Sequence, residues 1–284
     1  MVTRIAVTGA TGRLGGRVAR RLSAAGVPQR LVVRDSGRAP QLAGAEVRVA
    51  SYGDAQAAAR ALEGIETLLF VSGGESEDRV AQHFAFIGAA AAAGIRHIVY
   101  TSFFGAAPQA IFTLARDHWA TEQRLRESGL AWTFLRDNLY LDFFPLMAGE
   151  DGVIRGPAGR GRAAAVALDD IADVAAAVLR APAPHAGRAY ELTGPESLSL
   201  QEVAAVLGAH LGREVRYVEE TVEEAFRSRE RYGAPPWQVE AWVSTYLAIA
   251  AGELARVTTD VMAVTGRPAT PLEVVLRRMN APPG

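Results

Sequence analysis

The chain has 284 residues, 49% hydrophobic, 21% charged and 7% aromatic, which allows one large domain or two modest ones at about 150 residues each. Its 30 basic and 31 acidic residues leave a formal net charge of −1, so the overall field does not favour binding to nucleic acid or to an anionic membrane. There is no cysteine and every basic residue is arginine, which excludes disulfides, thiolate metal sites, thiol nucleophiles and any role for a lysine ammonium.

The sequence also bears on where the protein resides. No apolar run approaches the roughly 20 residues that cross a bilayer. The first motif begins so close to Met1 that no room is left for a signal peptide. We therefore expect a cytoplasmic protein.

The first part of the chain alternates between short β-rich runs and segments with helical spacing. The predicted strands cover residues 5–8, 30–33, 47–50, 67–72, 98–102 and 132–136, and the predicted helices 13–25, 54–62 and 78–93. This alternation predicts an α/β fold, a doubly wound parallel sheet of the Rossmann type with right-handed crossovers.

The pattern changes after residue 136. Residues 142–162 are rich in Gly and Pro without a clear period, and we predict a substrate-side insertion at about 137–162. A helix at 170–180 and a strand at 188–192 then return to the sheet. The chain from residue 199 is mainly helical, apart from a strand-like run at 215–218. We predict a sheet domain over 1–195 and a smaller C-terminal lobe over 196–284.

Three glycines follow the first predicted strand at intervals of three residues. Gly9 suits a tight turn, Gly12 lets the backbone approach a pyrophosphate, and Gly15 permits close contact between helix and strand. The helix that begins here presents free N–H groups and the positive end of its dipole. The turn therefore predicts a dinucleotide site, with a purely structural glycine turn as the alternative.

The end of the second predicted strand bears on which dinucleotide is bound. Arg34 offers a planar, permanently charged group to the 2′-phosphate of NADP, and Arg13 in the glycine turn is a second candidate. The alternative is that Arg34 is a solvated charge and that Asp35 meets the ribose hydroxyls, which would favour NAD. We expect NADP(H).

Several motifs follow one another along the chain. They are the glycine turn, Arg34, Phe70-Val71-Ser72, Tyr100-Thr101-Ser102, Asp117-His118 with Thr121-Glu122, Leu135-Arg136 and Leu192-Thr193-Gly194-Pro195. Together they resemble the NmrA-like atypical short-chain dehydrogenases, and among these the type 2 NADPH:quinone oxidoreductases and the triphenylmethane reductases. The resemblance covers residues 2 to about 218 and is loose in the C-terminal lobe.

The resemblance implies an NADPH site. Its expected members are Gly9, Thr11, Gly12, Arg13, Leu14, Gly15 and Arg34, with Phe70, Val71, Ser72, Thr101 and Ser102 along the sugar and nicotinamide. Relatives often carry an Asp near the adenine, at a position that is Ser51 here, so Ser51 and the backbone of Tyr52 are the expected adenine neighbours. Asp54, just before a predicted helix, is interpreted as an N-cap.

The Tyr-x-x-x-Lys pair of ordinary short-chain dehydrogenases is missing. By the resemblance, His118 takes the place of the tyrosine and Glu122 that of the lysine, while Ser102 stays near the usual serine. We list His118 and Ser102 as candidate catalytic residues, because a histidine titrates near neutral pH. The alternative for His118 is a structural histidine bonded within the fold.

Aromatic residues follow the fifth and sixth predicted strands, at the sheet edge where open α/β folds bind ligands. Candidate contacts to a flat substrate are Phe103, Phe104, Tyr140, Phe143 and Phe144, with ordinary core packing as the alternative. Asn138 is a candidate contact to the nicotinamide or the substrate. The remaining histidines lack the spacing of metal ligands, so no metal site is predicted.

These features favour an NADPH-dependent oxidoreductase that transfers hydride to a quinone or a similar electron-poor conjugated molecule. Such acceptors yield stabilised products and need less help from a proton donor than a ketone does. Two alternatives are a non-catalytic NADP(H) sensor of the NmrA type and a tailoring enzyme of secondary metabolism on the same fold. The sequence leaves monomer and homodimer both open.

Overall fold

The structure is a computed structural model that describes residues 4–279. The strands are β1 Ile5–Thr8, β2 Gln29–Val33, β3 Ala45–Val49, β4 Thr67–Phe70, β5 His97–Phe103, β6 Ala131–Asp137, β7 Val153–Gly156, β8 Arg162–Ala163, β9 Arg188–Leu192, β10 Leu198–Ser199 and β11 Arg216–Glu219. The helices are α1 Arg13–Ala24, α2 Ala55–Leu62, α3 Arg79–Ala92, α4 Thr113–Glu127, α5 Phe144–Met147, α6 Leu168–Arg180, α7 Leu200–Leu211, α8 Val222–Arg229, α9 Pro236–Ala250, α10 Asp260–Thr265 and α11 Leu272–Met279.

The main sheet has seven strands in the order β3-β2-β1-β4-β5-β6-β9. Strands β3, β2, β1, β4 and β5 pair in parallel, with Ile5 opposite Gln29 on one side and Thr67 on the other. Strand β4 is buried along its whole length, as expected for a parallel sheet covered by helices on both faces. The predicted doubly wound α/β fold is confirmed.

The described residues form two compact units. The first comprises residues 4–103, 117–136 and 168–190, and the second comprises residues 104–116, 137–167 and 191–279. The segment 137–162, which sequence reasoning attached to the sheet domain as an insertion, therefore belongs with the C-terminal residues.

That segment is also more ordered than its composition predicts. It contains α5 and β7, and β7 pairs in parallel with β11 so that Val153 lies opposite Arg216. The two strands are about 60 residues apart along the chain, and a short strand whose partner lies so far away leaves little signal in its own sequence.

Within the first unit, ion pairs join helix α1 to helix α6. The Arg21 guanidinium donates to Asp173 at 2.5 Å and to Asp169 at 2.9 Å. Both carboxylates belong to α6, so Arg21 joins the two helices through two ion pairs. Asp54 accepts a hydrogen bond from the Ala57 N–H and caps α2, as interpreted from the sequence.

Across residues 4–279, no helix is both long and apolar enough to pass through a membrane. Over the same residues, no group of three or more His, Asp or Glu side chains is arranged to hold a metal ion.

Candidate functional site

A cleft of about 420 Å³ opens in the first unit, at the carboxyl ends of β1 to β4. Open parallel sheets bind ligands at this edge. Its lining residues are Gly9, Thr11, Gly12, Arg13, Leu14, Gly15, Val32, Val33, Arg34, Ala50, Ser51, Tyr52, Gly53, Val71, Ser72, Gly73, Gly74 and Gln82. The predicted cofactor residues all lie in this set, except Phe70, Thr101, Ser102 and Asn138.

The glycine turn forms one wall of the cleft. Gly9 has a φ of +64°, a conformation that side chains disfavour, and a Cβ there would lie 3.0 Å from the Val71 Cβ. A Cβ on Gly15 would lie 2.4 Å from the Gly9 carbonyl oxygen, which is closer than atoms can approach. Gly12 has an ordinary φ of −94°, and its N–H donates to the Gly9 oxygen at 2.8 Å. Gly9 and Gly15 are therefore required by the fold, whereas Gly12 is free to serve a ligand.

The start of α1 suits an anion. Gly12 is the N-cap residue of α1 and has no side chain to bond the first amides of the helix. The first turn of α1 carries no acidic residue. These N–H groups and the positive end of the helix dipole lie at the turn that lines the cleft. The site fits the pyrophosphate of a dinucleotide, since a bare backbone lets phosphate oxygens reach the amides directly.

The second wall carries the predicted phosphate ligands. Arg34 follows β2 and lines the cleft together with Arg13. Asp35, the alternative ribose ligand, does not belong to the lining, and its carboxylate accepts a hydrogen bond from the Gly37 N–H at 2.9 Å. Because Arg34 lines the cleft and Asp35 does not, the arrangement favours Arg34 over Asp35 as the cofactor ligand.

Ser51 and Tyr52 lie in the lining, at the end of β3. The Tyr52 hydroxyl donates to the Val71 carbonyl at 2.6 Å, which ties this segment to the residue that follows β4. The sequence prediction missed seven lining residues, which are Val32, Val33, Ala50, Gly53, Gly73, Gly74 and Gln82. Gln82 comes from α3, and neither periodicity nor a motif singles out one polar residue on the exposed side of a helix.

Two of the predicted cofactor contacts lie behind the wall of the cleft. Phe70 is fully buried and packs edge-on against Tyr52, with ring centroids 5.0 Å apart. Thr101 is also buried, and its hydroxyl oxygen accepts the Ser72 N–H at 2.8 Å. The expectation of direct contact is corrected for both, because their side chains support lining residues and have almost no surface of their own.

Asn138 is corrected in the same way. It is fully buried in the second unit. Its amide nitrogen donates to the Leu254 carbonyl at 3.0 Å, and its amide oxygen accepts the Leu139 N–H at 2.7 Å. Both ends of the amide are occupied by backbone, so this side chain fixes the fold and is not poised to meet a nicotinamide or a substrate.

Ser102 belongs to a buried ion-pair cluster. Its hydroxyl donates to Glu122 at 2.6 Å, and Arg136 holds both oxygens of the same carboxylate at 2.8 and 2.6 Å. Glu122 has no exposed surface. The hydroxyl proton of Ser102 is thus already committed, and the prediction of a catalytic serine is corrected to a structural role.

His118 is buried among cationic and aromatic partners. Its Nε2 accepts a hydrogen bond from Arg79 at 2.9 Å, so the proton of the neutral ring resides on Nδ1, which lies 3.0 Å from the Tyr100 hydroxyl. Burial, and then the charge of Arg79, hold the pKa of His118 well below its usual range. The ring is neutral at pH 7, so the prediction of His118 as a proton donor is corrected to a structural histidine.

His83 lies beside this group. Its Nε2 accepts the Gly73 N–H at 2.9 Å, and its Nδ1 lies 2.9 Å from the Thr121 hydroxyl oxygen. Burial, and then the charge of Arg79, lower the pKa of His83 to about 3. The first unit therefore contains two histidines that stay neutral far into the acid range.

The candidate substrate residues divide into two groups. Phe104 and Phe144 are each 3% exposed and belong to the core, so their assignment to a substrate surface is corrected. Phe103 and Tyr140 are half-buried, and Phe143 is 38% exposed. Only these three retain surface that a ligand can contact.

Tyr140 has a buried acid beside it in the second unit. Its hydroxyl lies 3.2 Å from the Asp137 Oδ2, and the Asp137 Oδ1 has no hydrogen-bond partner. Burial raises the pKa of Asp137 well above its usual range. Burial thus favours the uncharged form of this carboxyl group beside the Tyr140 hydroxyl.

The fold and the glycine-turn cleft define a Rossmann-type protein with a candidate dinucleotide site. The chain belongs to the NmrA-like family, which matches residues 1–237.

Relatives of this chain are reductases by name. It is 35% identical over 270 residues to the NAD(P)H azoreductase of Xenophilus azovorans, covering 93% of this chain and 94% of that one. Among solved structures it resembles an NADPH-dependent quinone oxidoreductase from Escherichia coli complexed with NADPH, at 34% identity and a TM-score of 0.89, covering 97% and 99% of the two chains. It also resembles the triphenylmethane reductase of Citrobacter sp. complexed with NADP(H), at 33% identity and a TM-score of 0.86, covering 96% and 99%.

The geometry of the turn predicts different outcomes for two glycine substitutions. Gly12→Val should fold with some loss of stability, because its φ of −94° suits any residue but its Cβ would lie a tight 3.2 Å from the Gly9 oxygen. The new side chain should occupy the phosphate position and abolish NADPH binding. Gly15→Ala should instead lower the free energy of unfolding, because its Cβ would collide with the Gly9 oxygen. Circular dichroism, urea denaturation and calorimetric titration separate the two. Near-normal binding by a folded Gly12→Val variant would contradict the phosphate assignment.

The low pKa of His83 predicts a loss of stability in acid. The unfolded chain binds a proton at His83 below its ordinary pKa of 6.5, whereas the folded protein does so only near 3. The free energy of unfolding should therefore decrease as the pH is lowered from 6.5 toward 3. For this residue the decrease from pH 7 to pH 5 should be about 2 kcal/mol. Urea denaturation of the wild type and His83→Gln at both pH values measures it. Equal pH dependence in the two proteins would refute the prediction.

Proposed function

We propose that the protein is an NADPH-dependent reductase that transfers hydride to a quinone or a similar electron-poor conjugated small molecule. The observation that supports this most is the cleft, where a side-chain-free helix start and two arginines lie together. The family adds support, since the related azoreductase, quinone oxidoreductase and triphenylmethane reductase are named for conjugated acceptors. A cytoplasmic location remains a prediction.

The cleft offers a separate feature to each part of NADPH. The amides at the start of α1 suit the pyrophosphate, Ser51 and Tyr52 suit the adenine, and Val71 and Ser72 continue toward the nicotinamide. Bound there, the cofactor would supply a hydride from its reduced ring. The protein's part is to hold the dinucleotide extended across the sheet edge.

Preference for NADPH over NADH rests on charge. Arg34 and Arg13 line the same cleft, and a guanidinium can bind a 2′-phosphate through two hydrogen bonds at once. Asp35 does not belong to the lining, and one of its carboxylate oxygens accepts the Gly37 N–H of its own turn. The cleft therefore carries positive charge where the extra phosphate of NADPH is expected.

The choice of acceptor rests on the missing proton relay. The chain has no lysine. His118 is neutral and accepts a hydrogen bond from Arg79, and the Ser102 hydroxyl donates its hydrogen bond to Glu122. A ketone would leave these residues facing an unstabilised alkoxide, whereas a quinone becomes a stable hydroquinone anion and a cationic dye is simply neutralised.

Recognition of the acceptor is proposed for the second unit. Tyr140 and Phe143 form a tilted ring pair with centroids 5.6 Å apart, and both keep exposed surface. Such a pair suits a flat conjugated molecule. The Asp137 carboxyl group beside the Tyr140 hydroxyl gives this surface a polar end.

A change at Arg34 tests the cofactor preference. Arg34→Ala should weaken NADPH binding by about 10- to 150-fold and leave NADH almost unchanged, because a hydrogen bond to a charged group contributes about 1.5–3 kcal/mol. Arg38→Ala is the matched control, since Arg38 is also exposed but does not line the cleft. Calorimetric titration with both cofactors measures the ratio. An equal loss for NADPH and NADH would assign Arg34 to the fold instead.

The acceptor profile tests the proposed reaction. NADPH oxidation, followed by its absorbance, should proceed with a benzoquinone or a triarylmethane dye and not with an aliphatic ketone. His118→Gln should lower kcat by tenfold or less, because His118 has a structural role. Loss of a general acid would typically lower kcat by about 10²–10⁴-fold.

Two outcomes would overturn this proposal. Brisk turnover of the ketone would refute the argument from the missing relay. Tight NADPH binding without turnover of any acceptor would favour a sensor of the cofactor, for which no proton relay is needed.

A further inference from the structure

The segment between β4 and α3 lines the cleft and contains two adjacent glycines. Residues 71–76 have no regular structure, and Ser72, Gly73 and Gly74 all line the cleft. Two adjacent glycines give this wall more backbone freedom than any other residue pair would. A wall that is mobile before binding must be ordered on binding, which weakens affinity.

The backbone of Gly73 is held from both sides by side chains of α3. The Gly73 N–H donates to the His83 Nε2 at 2.9 Å, and the Gly73 carbonyl accepts the Arg79 Nε–H at 3.0 Å. The Arg79 N–H also donates to the Ser76 carbonyl at 3.2 Å. Arg79 and His83 lie outside the lining, so they act on the cleft only through this backbone.

The hydrogen bonds behind His83 determine which nitrogen faces Gly73. The Thr121 hydroxyl donates to the Asp117 carbonyl at 2.8 Å, so its oxygen accepts the proton on the His83 Nδ1. The Nε2 is then left unprotonated and able to accept the Gly73 N–H. A protonated ring would present a donor to a donor and break this contact.

Arg79 is equally constrained. Its NH1 donates to Asp117 at 3.2 Å and its NH2 to the His118 Nε2 at 2.9 Å, which leaves Nε for Gly73. The side chain is buried, so these contacts are shielded from competing water. Arg79 and His118 therefore form one rigid group behind the wall.

We propose that His83 and Arg79 are positioning residues that hold Gly73 in place and thereby set the affinity of the cleft for NADPH. This inference rests on the proposed function, since it concerns the same cofactor. It assigns to the buried His83 a contribution to NADPH affinity that is separate from those of the glycine turn and of the arginines that line the cleft.

A phenylalanine at position 83 removes the acceptor and keeps a ring. His83→Phe should raise the Kd and the KM for NADPH by about 5- to 30-fold, the factor expected when one residue's backbone must be ordered on binding. The kcat at saturating NADPH should stay within about threefold, because the bound complex is unchanged. His83→Gln, whose amide oxygen can accept the Gly73 N–H, should restore most of the affinity.

His97→Phe is the matched control. His97 is also buried, and its ring is also bonded to a threonine, Thr133, but it lies at the start of β5 and this partner is not a lining residue of the cleft. His97→Phe should lower the free energy of unfolding without changing the Kd for NADPH. Hydrogen–deuterium exchange of the segment 71–79 should be faster in His83→Phe than in the wild type and unchanged in His97→Phe.

The outcomes separate this proposal from the function on which it rests. If the wild type fails to bind NADPH, the proposed function fails. If the wild type binds and a folded His83→Phe binds equally well, or if His97→Phe weakens binding as much, the positioning role is refuted. If His83→Phe does not fold, His83→Gln decides the matter. The proposal is refuted if hydrogen exchange of residues 71–79 in His83→Gln is as slow as in the wild type and the variant nevertheless binds NADPH more than tenfold more weakly.

Discussion

The close approach of α1 to β1 is the contact on which the rest of the site depends. It exists only because Gly15 has no side chain beside the Gly9 oxygen. The approach directs the start of the helix toward the sheet edge, where its amides face the cleft. On its other side α1 is bound to α6 through Arg21. A helix held at both its end and its side can present fixed dipoles to an anion without reorganising when the anion binds.

The polar interior behind the cleft uses arginine wherever a cation is needed. Arg79 serves a carbonyl, a carboxylate and a histidine at once, and Arg136 grips both oxygens of Glu122. A planar fork with several donors can satisfy such divergent partners, whereas an ammonium is a single point of charge. The histidines beside Arg79 remain neutral because adding a second buried cation would be costly.

The sequence predicted what depends on local pattern and failed where distant partners decide. Alternating apolar runs and a glycine turn are local, so the sheet and the phosphate end of the cleft were foreseeable. Gln82 and Gly73 reach the cleft through the placement of α3, which no motif encodes. His118 matched a position known for acid chemistry, but its role is decided by Arg79, which lies 39 positions away in the chain. Residue identity gives a side chain its possible chemistry, and its buried neighbours select among those possibilities.

The cluster around Glu122 limits how this fold can be redesigned. Ordinary relatives would place a lysine at that position, and reinstating it together with a tyrosine in place of His118 looks like a simple route to a carbonyl reductase. Here a lysine would enter a fully buried position beside Arg136, replacing the carboxylate that neutralises that arginine with a second positive charge. The graft would have to change Arg136 and the partner of Ser102 as well. This site and the Tyr-x-x-x-Lys site of ordinary short-chain dehydrogenases thus differ by a group of mutually dependent residues. Exchanging these residues one at a time would pass through an unstable variant.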